Sequence, residues 1–240
     1  MNQSNTYIFI FIMITVLLAK YGGVTMHIPD GFLDVVTATA TYIITIGYGV
    51  AAWKKFKASL TPERISLLAV LSAAIFAAQM LNWPLPGGTS LHFVGGALAG
   101  ILLGPLLGFI SLTLVVGIQC IVFHDGGITT LGANLLNMAI IDVLVGYAIF
   151  KLVTRSMRNT RSSRLIGAFL GGWLGIVLAG LACGLEIGLS PSFGFYVNVT
   201  VPVMVGWHAL LGIIEGIITA LVVDYVYARL PTAIQGGIGR

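Results

Sequence analysis

Of 240 residues, 58% are hydrophobic and only 8% charged, and the mean hydropathy is +1.01, whereas a soluble domain carries roughly a quarter charged residues. A soluble fold is excluded, and the chain reads as an integral membrane protein. The net charge of +4 would suit a nucleic-acid binder, but the basic residues cluster beside apolar runs, which is the pattern of a topology signal; no nucleic-acid partner is expected.

The apolar runs are continuous rather than alternating, so helices are expected and outer-membrane strands are not. At about 20 residues per span, the chain has room for about seven or eight spans and no separate soluble domain. In order they are Tyr7–Leu18, Leu33–Trp53, Ile65–Leu81, Leu91–Leu103, Leu106–Phe123, Leu131–Val153, Leu165–Ile187 and Val203–Tyr227. The first is too short for a comfortable span and resembles the h-region of a signal peptide, with Gly23 and Thr25 at the −3 and −1 places before Met26. Against cleavage, no Lys or Arg precedes it and Thr is a poor −1 residue; translation from Met26 is a second route to the same N-terminus. The fold class expected is therefore an all-α integral membrane protein, a seven-transmembrane-helix bundle after an N-terminal signal-like segment. Residues 1–25 form that segment and 26–240 a single seven-helix domain.

The connections alternate in charge. Lys54, Lys55, Lys57 and Arg64 share one loop, Lys151, Arg155, Arg158, Arg161 and Arg164 another, and Arg229 and Arg240 follow the last span. Positive connections stay cytoplasmic, so the C-terminus is expected inside and Met26 outside. The same threading puts the Trp83–Ser90 loop, the start of the Leu91–Leu103 span and His124–Gly127 outside. Glycines recur every four residues at Gly96, Gly100 and Gly104, at Gly167, Gly171 and Gly175, at Gly184 and Gly188, and at Gly212 and Gly216. Such stripes let helices approach closely in lipid; the Gly47 and Ala51 stripe of the first mature span could instead face a partner membrane protein. Cys120 and Cys183 lack CxxC spacing and read as small core residues.

All four histidines, His27, His92, His124 and His208, fall on the expected outer side, and imidazole is the commonest transition-metal ligand. If Met26 is the mature N-terminus, its amine, the His27 amide and the His27 ring supply three nitrogens in one plane. One further ligand would complete a planar four-nitrogen site, which suits nickel, copper or cobalt rather than zinc, magnesium or calcium. The alternative is a linker, in which Pro29-Asp30-Gly31 turns the chain into the next helix.

The segments MHIPDGFL, PLPGGTSLHFVGGAL, LGPLLGF and FHDGGITTLGANLLNMA, with His208 and Glu215 seven residues apart, resemble the substrate-binding membrane component of cobalt and nickel energy-coupling-factor (ECF) transporters, the CbiM/NikM family. The resemblance runs from Met26 to the last span. It implies a plasma-membrane subunit that captures Co(II) or Ni(II) outside as transported substrate, with no organic cofactor. It also implies a transmembrane coupling subunit and two cytoplasmic ATPases, and it leaves room for a small accessory membrane subunit. Carried over, the metal ligands are Met26, His27 and His92. Asp30, Ser90, His124, Asn134, His208 and Glu215 are candidates for supporting roles, and Asn137 with Asn134 could brace the glycine loop. Asp142 and Glu215 could serve as interhelical hydrogen-bonding groups or as support for the site, while Glu186 and Asp224 are expected near helix ends.

Other functions find less in the sequence. An intramembrane enzyme would need a motif such as HExxH or GxSG, and neither occurs. A self-sufficient channel or secondary transporter often shows paired repeats with broken helices, and no repeat is evident. Without a phosphate-cradling G-x4-GK[ST] loop, ATP-driven transport needs other chains. The nitrogen donors do not choose between cobalt and nickel.

Overall fold

The computed structural model describes residues 27–56, 61–81, 83–84 and 90–229. Within them are seven helices: α1 (Val35–Phe56), α2 (Pro62–Gln79), α3 (Gly96–Leu103), α4 (Pro105–Phe123), α5 (Leu131–Ser156), α6 (Arg161–Leu189) and α7 (Val197–Arg229). A two-residue antiparallel pair, β1 (Trp83–Pro84) with β2 (Ser90–Leu91), precedes α3. The signal-like segment and Met26 lie outside the described residues.

Local chemistry sets the helix starts. Thr61 caps α2 by accepting from the Arg64 amide, with Pro62 at the first helical position, and Thr160 caps α6 by accepting from the Ser163 amide. Pro105 opens α4 directly after Gly104, whose φ of 82° suits only glycine well. In α7, Pro202 sits near the N-terminal end, and the 33-residue helix runs through it.

Among the described residues, six helices are long and apolar enough to cross a membrane, and the chain is a multi-pass membrane protein. The expected span at Leu91–Leu103 is corrected: only Gly96–Leu103 is helical, eight residues or about 12 Å. Residues 92–95 run without regular structure before it. The reason is local. Gly95 has a left-handed φ of 77°, and the amides of Val94 and Gly95 bond to the Glu215 carboxylate of α7 instead of entering a helix. The third passage is thus an irregular strand followed by a half-length helix whose eight residues are all buried.

The glycine stripes pack as expected except at Gly104, where an added Cβ would meet nothing within 4 Å. A Cβ on Gly100 would lie 2.5 Å from the Val143 carbonyl, one on Gly171 2.7 Å from that of Gly146, and one on Gly216 2.7 Å from that of Phe169. Each glycine therefore admits a neighbouring backbone. Gly96 and Gly175 leave a slot between α3 and α6 that holds the Asp142 side chain of α5. The Asp142 oxygens face the Gly96 and Ala97 amides but close no hydrogen bond of ordinary geometry. Cys120 is a buried free thiol and Cys183 a half-buried one.

Helix order brings like ends together. Phe76 near the end of α2 meets Phe123 at the end of α4, while Arg64 at the start of α2 donates to the Leu103 carbonyl at the end of α3. Lys54, Lys55, Arg155, Arg161 and Arg229 all fall in first or last turns at the Arg64 end. His27 and His92 fall at the other.

Candidate metal centre

Residues 27–34 lead into α1 and lie along the α4–α5 connection. The Ile28 amide donates to Asn134 Oδ1 at 3.0 Å, and the Ile28 carbonyl accepts from Asn134 Nδ2 at 3.1 Å, from the Gly127 amide at 3.0 Å and from Thr130 Oγ1. Asp30 accepts from the Thr129 amide and hydroxyl, and these bonds hold its carboxyl below the ordinary value. Gly126 allows the approach: a Cβ there would sit 2.7 Å from His27 Cβ. The Pro-Asp-Gly segment is therefore part of a strap fastened at both ends.

This strap sets His27 beside His92. Both are buried, their ring centroids are 5.2 Å apart, and the rings meet edge to face at 86°. The hydrogen bonds assign tautomers. His27 Nε2 lies 2.9 Å from Gln119 Oε1 of α4; with that oxygen accepting, Nε2 carries the proton and Nδ1 the lone pair. Nδ1 is the nitrogen that closes a chelate ring with the residue's own backbone amide. His92 Nδ1 lies 3.0 Å from the Phe93 carbonyl, which can only accept, so here Nδ1 is protonated and the lone pair is on Nε2. Burial pushes the His27 imidazole below its ordinary value, against the opposing effects of Asp125 and Gln119, and so keeps it neutral.

Among the described residues, no group of three His, Cys, Asp or Glu side chains is arranged to hold a metal. Two imidazoles side by side offer two nitrogen donors.

Residues 27–233 match the family described as CbiM, the cobalt uptake substrate-specific transmembrane region. The chain belongs to the CbiM family. It is 53% identical over 211 residues to a protein of Archaeoglobus fulgidus that carries the name of a fused nickel transport protein, NikMN, covering 88% of this chain and 68% of that one. A cobalt transport protein CbiM of Thermosipho melanesiensis is 29% identical, covering 90% of this chain and 93% of its own. A crystal structure of a truncated transition metal transporter superposes with a TM-score of 0.78 at 37% identity, covering 85% of this chain and 99% of that one. These relatives are transport proteins rather than enzymes, and cobalt or nickel is the family's cargo.

The other sequence candidates divide. Asn134 and Asp30 fasten the strap, as described, and Glu215 holds the backbone after His92. His124 ends α4 in a left-handed conformation and is exposed, whereas His27 and His92 are buried. His208 packs on Gly180 of α6 with Nδ1 2.7 Å from the Met204 carbonyl, a helix-packing role. Ser90 pairs through its backbone with Pro84, and its side chain is outside what is described. Asn137 donates to Glu186 at 2.7 Å between α5 and α6, one turn below Asn134. Asp224 pairs with Arg161 near the end of its helix, as expected.

Gln119, Gln79 and Thr130 were not singled out from sequence. Gln79 and Gln119 are completely buried. A lone amide side chain within an apolar stretch such as LVVGIQCIVF is the signal that could have marked Gln119, since buried polar groups in a bilayer need partners.

Proposed function

We propose that this chain is the substrate-binding component of an ECF-type importer, which captures Co(II) or Ni(II) at the external face for ATP-driven uptake. The reading rests on one observation above all: the two buried histidines present complementary nitrogens, His27 Nδ1 and His92 Nε2, within one small space. With Met26 as the mature N-terminus, its amine, the His27 amide and His27 Nδ1 form two fused chelate rings, and His92 Nε2 supplies the fourth nitrogen. Such a plane suits Ni(II) or Co(II), while Zn(II) takes a tetrahedron. Amine and amide must lose protons to bind, so capture releases protons and is favoured by rising pH.

The basic residues gathered at the Arg64 end support a cytoplasmic placement of that end and of the C-terminus, with His27 outside. Energy comes from two cytoplasmic ATPases acting through a transmembrane coupling subunit, with a small accessory membrane subunit as a further component, since this chain carries no phosphate loop. The test has two arms. Calorimetry of the purified chain should show tight Ni(II) or Co(II) binding with Met26 as the N-terminal residue by intact mass. Liposomes holding this chain alone should not accumulate metal with ATP. Metal-loaded protein beginning at Met1, or uptake by the chain alone, would overturn the reading.

A further inference from the structure

The backbone of Val94 is gripped at both its N–H and its carbonyl. Its N–H donates to Glu215 Oε2 at 2.9 Å and its carbonyl accepts from Gln79 Nε2 at 2.6 Å. The next amide, of Gly95, donates to Glu215 Oε1 at 2.7 Å. Glu215 comes from α7 and Gln79 from the last turn of α2, and both are essentially fully buried. Two consecutive amides can converge on one carboxylate because Gly95 takes φ 77°; a Cβ there would also meet Phe93 at 2.8 Å and Ile75 at 2.9 Å.

A buried carboxylate is a costly means of tying down a backbone inside a bilayer. What the two-oxygen fork supplies is orientation, since it fixes two N–H vectors at once. His92 stands two residues before Val94, and its ring is tied by Nδ1 to the carbonyl between them. The aim of His92 Nε2 is thus set through the backbone by side chains from two helices.

We propose that Glu215 and Gln79 are positioning residues that hold His92 Nε2 in the plane of the N-terminal chelate, and that this clamp determines the preference for Ni(II) or Co(II) over Zn(II). The proposal rests on the reading of His92 as the fourth donor. With the clamp intact, the fourth nitrogen is held where a planar ion needs it. With it loosened, the ring can swing out, the plane opens to water, and a tetrahedral ion is no longer disfavoured.

The experiment compares wild type, Glu215→Gln, Gln79→Met and His92→Ala as full-length protein in detergent, titrated with Ni(II) and Zn(II). The readouts are affinity, the visible absorption of the Ni(II)-saturated protein, and metal-free melting temperature. Glutamine puts an NH2 donor where one amide needs an acceptor, so Glu215→Gln should weaken Ni(II) about tenfold to a hundredfold. It should also replace the band of planar four-nitrogen Ni(II) by the weaker bands of higher coordination and lower the Ni(II)/Zn(II) affinity ratio. Gln79→Met should act in the same direction with smaller size, and it decides alone if Glu215→Gln is not recovered folded. A lowered melting temperature with the wild-type band and wild-type ratio would overturn the proposal, because the clamp would then be structural only. Loss of the band in His92→Ala with no change in the two clamp variants overturns it likewise. An unchanged His92→Ala protein would instead overturn the ligand reading beneath it.

Discussion

From the end of the bundle where α1 begins inwards to the middle of α7, His27, His92, Asn134 and Glu215 are between 1% and 7% exposed, and each contacts a partner on another element. At the opposite end, Arg161 and Asp224 form an ion pair whose side chains are 74% and 19% exposed. The same helices run through both regions, so the difference lies in what the polar groups do. Exposed charges at a membrane edge orient the chain and exchange their partners with water at little cost. Buried ones must be satisfied inside the protein, and they persist where a geometry has to be held. Substitutions at the first end should therefore alter binding and at the second almost nothing.

The largest effect is expected from displacing the terminal amine. Adding one residue before Met26 removes no side chain yet breaks the fused rings, and it should match His27→Ala. If the ~10–16 kcal/mol typical of a four-ligand structural site is divided among its donors, each is worth about 3 kcal/mol, or ~100-fold in affinity. Both variants should lose more than that in calorimetric Ni(II) titrations, and an unaffected extended variant would turn the strap back into a linker. His92→Ala removes one donor and leaves the chelate, so a loss of about 100-fold with residual binding is expected on the same reasoning.

A smaller effect belongs to the strap. Asn134→Leu leaves the buried Ile28 amide without its acceptor, which should cost about 1–3 kcal/mol of stability, read from thermal melting of metal-free protein. Smaller still is a pH effect. Burial lowers the folded His27 value below 6.5, so the unfolded chain takes up a proton first as pH falls. Stability from this group is present above the unfolded value and declines below it. Melting curves should show a component of acid destabilisation that His27→Ala lacks. The least effect is expected from Arg161→Ala, whose melting temperature and Ni(II) affinity should match wild type; a large change there would erase the contrast between the two ends.

Much of this arrangement was legible in the chain. Long apolar runs gave the helices within a few residues at most ends, since in lipid a helix is the only way a single segment satisfies its backbone. Four-residue glycine spacing anticipated close packing because the period and the absent Cβ are both local facts. His27 and His92 were readable as a pair through the family resemblance and the threading, and the structure brings their rings together. Leu91–Leu103 misled because its apolar content suits a span, whereas its first residues are captured by a carboxylate 120 positions away. Composition carries no trace of such a long-range bond. His124 follows the last residue of α4 and is exposed, which its place in the sequence does not reveal. The tautomers, and with them Gln119, depend on which atom meets which across α4, and only coordinates supply that.

Within α5, Leu136–Asp142 forms a π-helical stretch rather than continuing the tighter spiral on either side. Such widening accommodates an additional residue in the spiral, and it acts as a phase shifter between two jobs. Just before it, Asn134 is rotated towards Ile28; at its last residue, Asp142 is rotated into the slot between Gly96 and Gly175. Excising one residue from this stretch would twist the two halves relative to each other by about 100°, one residue's worth of ordinary helix. Either the strap would lose its anchor or the carboxylate would be driven into its glycine walls. The length of this stretch is thus under a constraint separate from its composition: conservative exchanges can be absorbed there, but a change in residue count cannot.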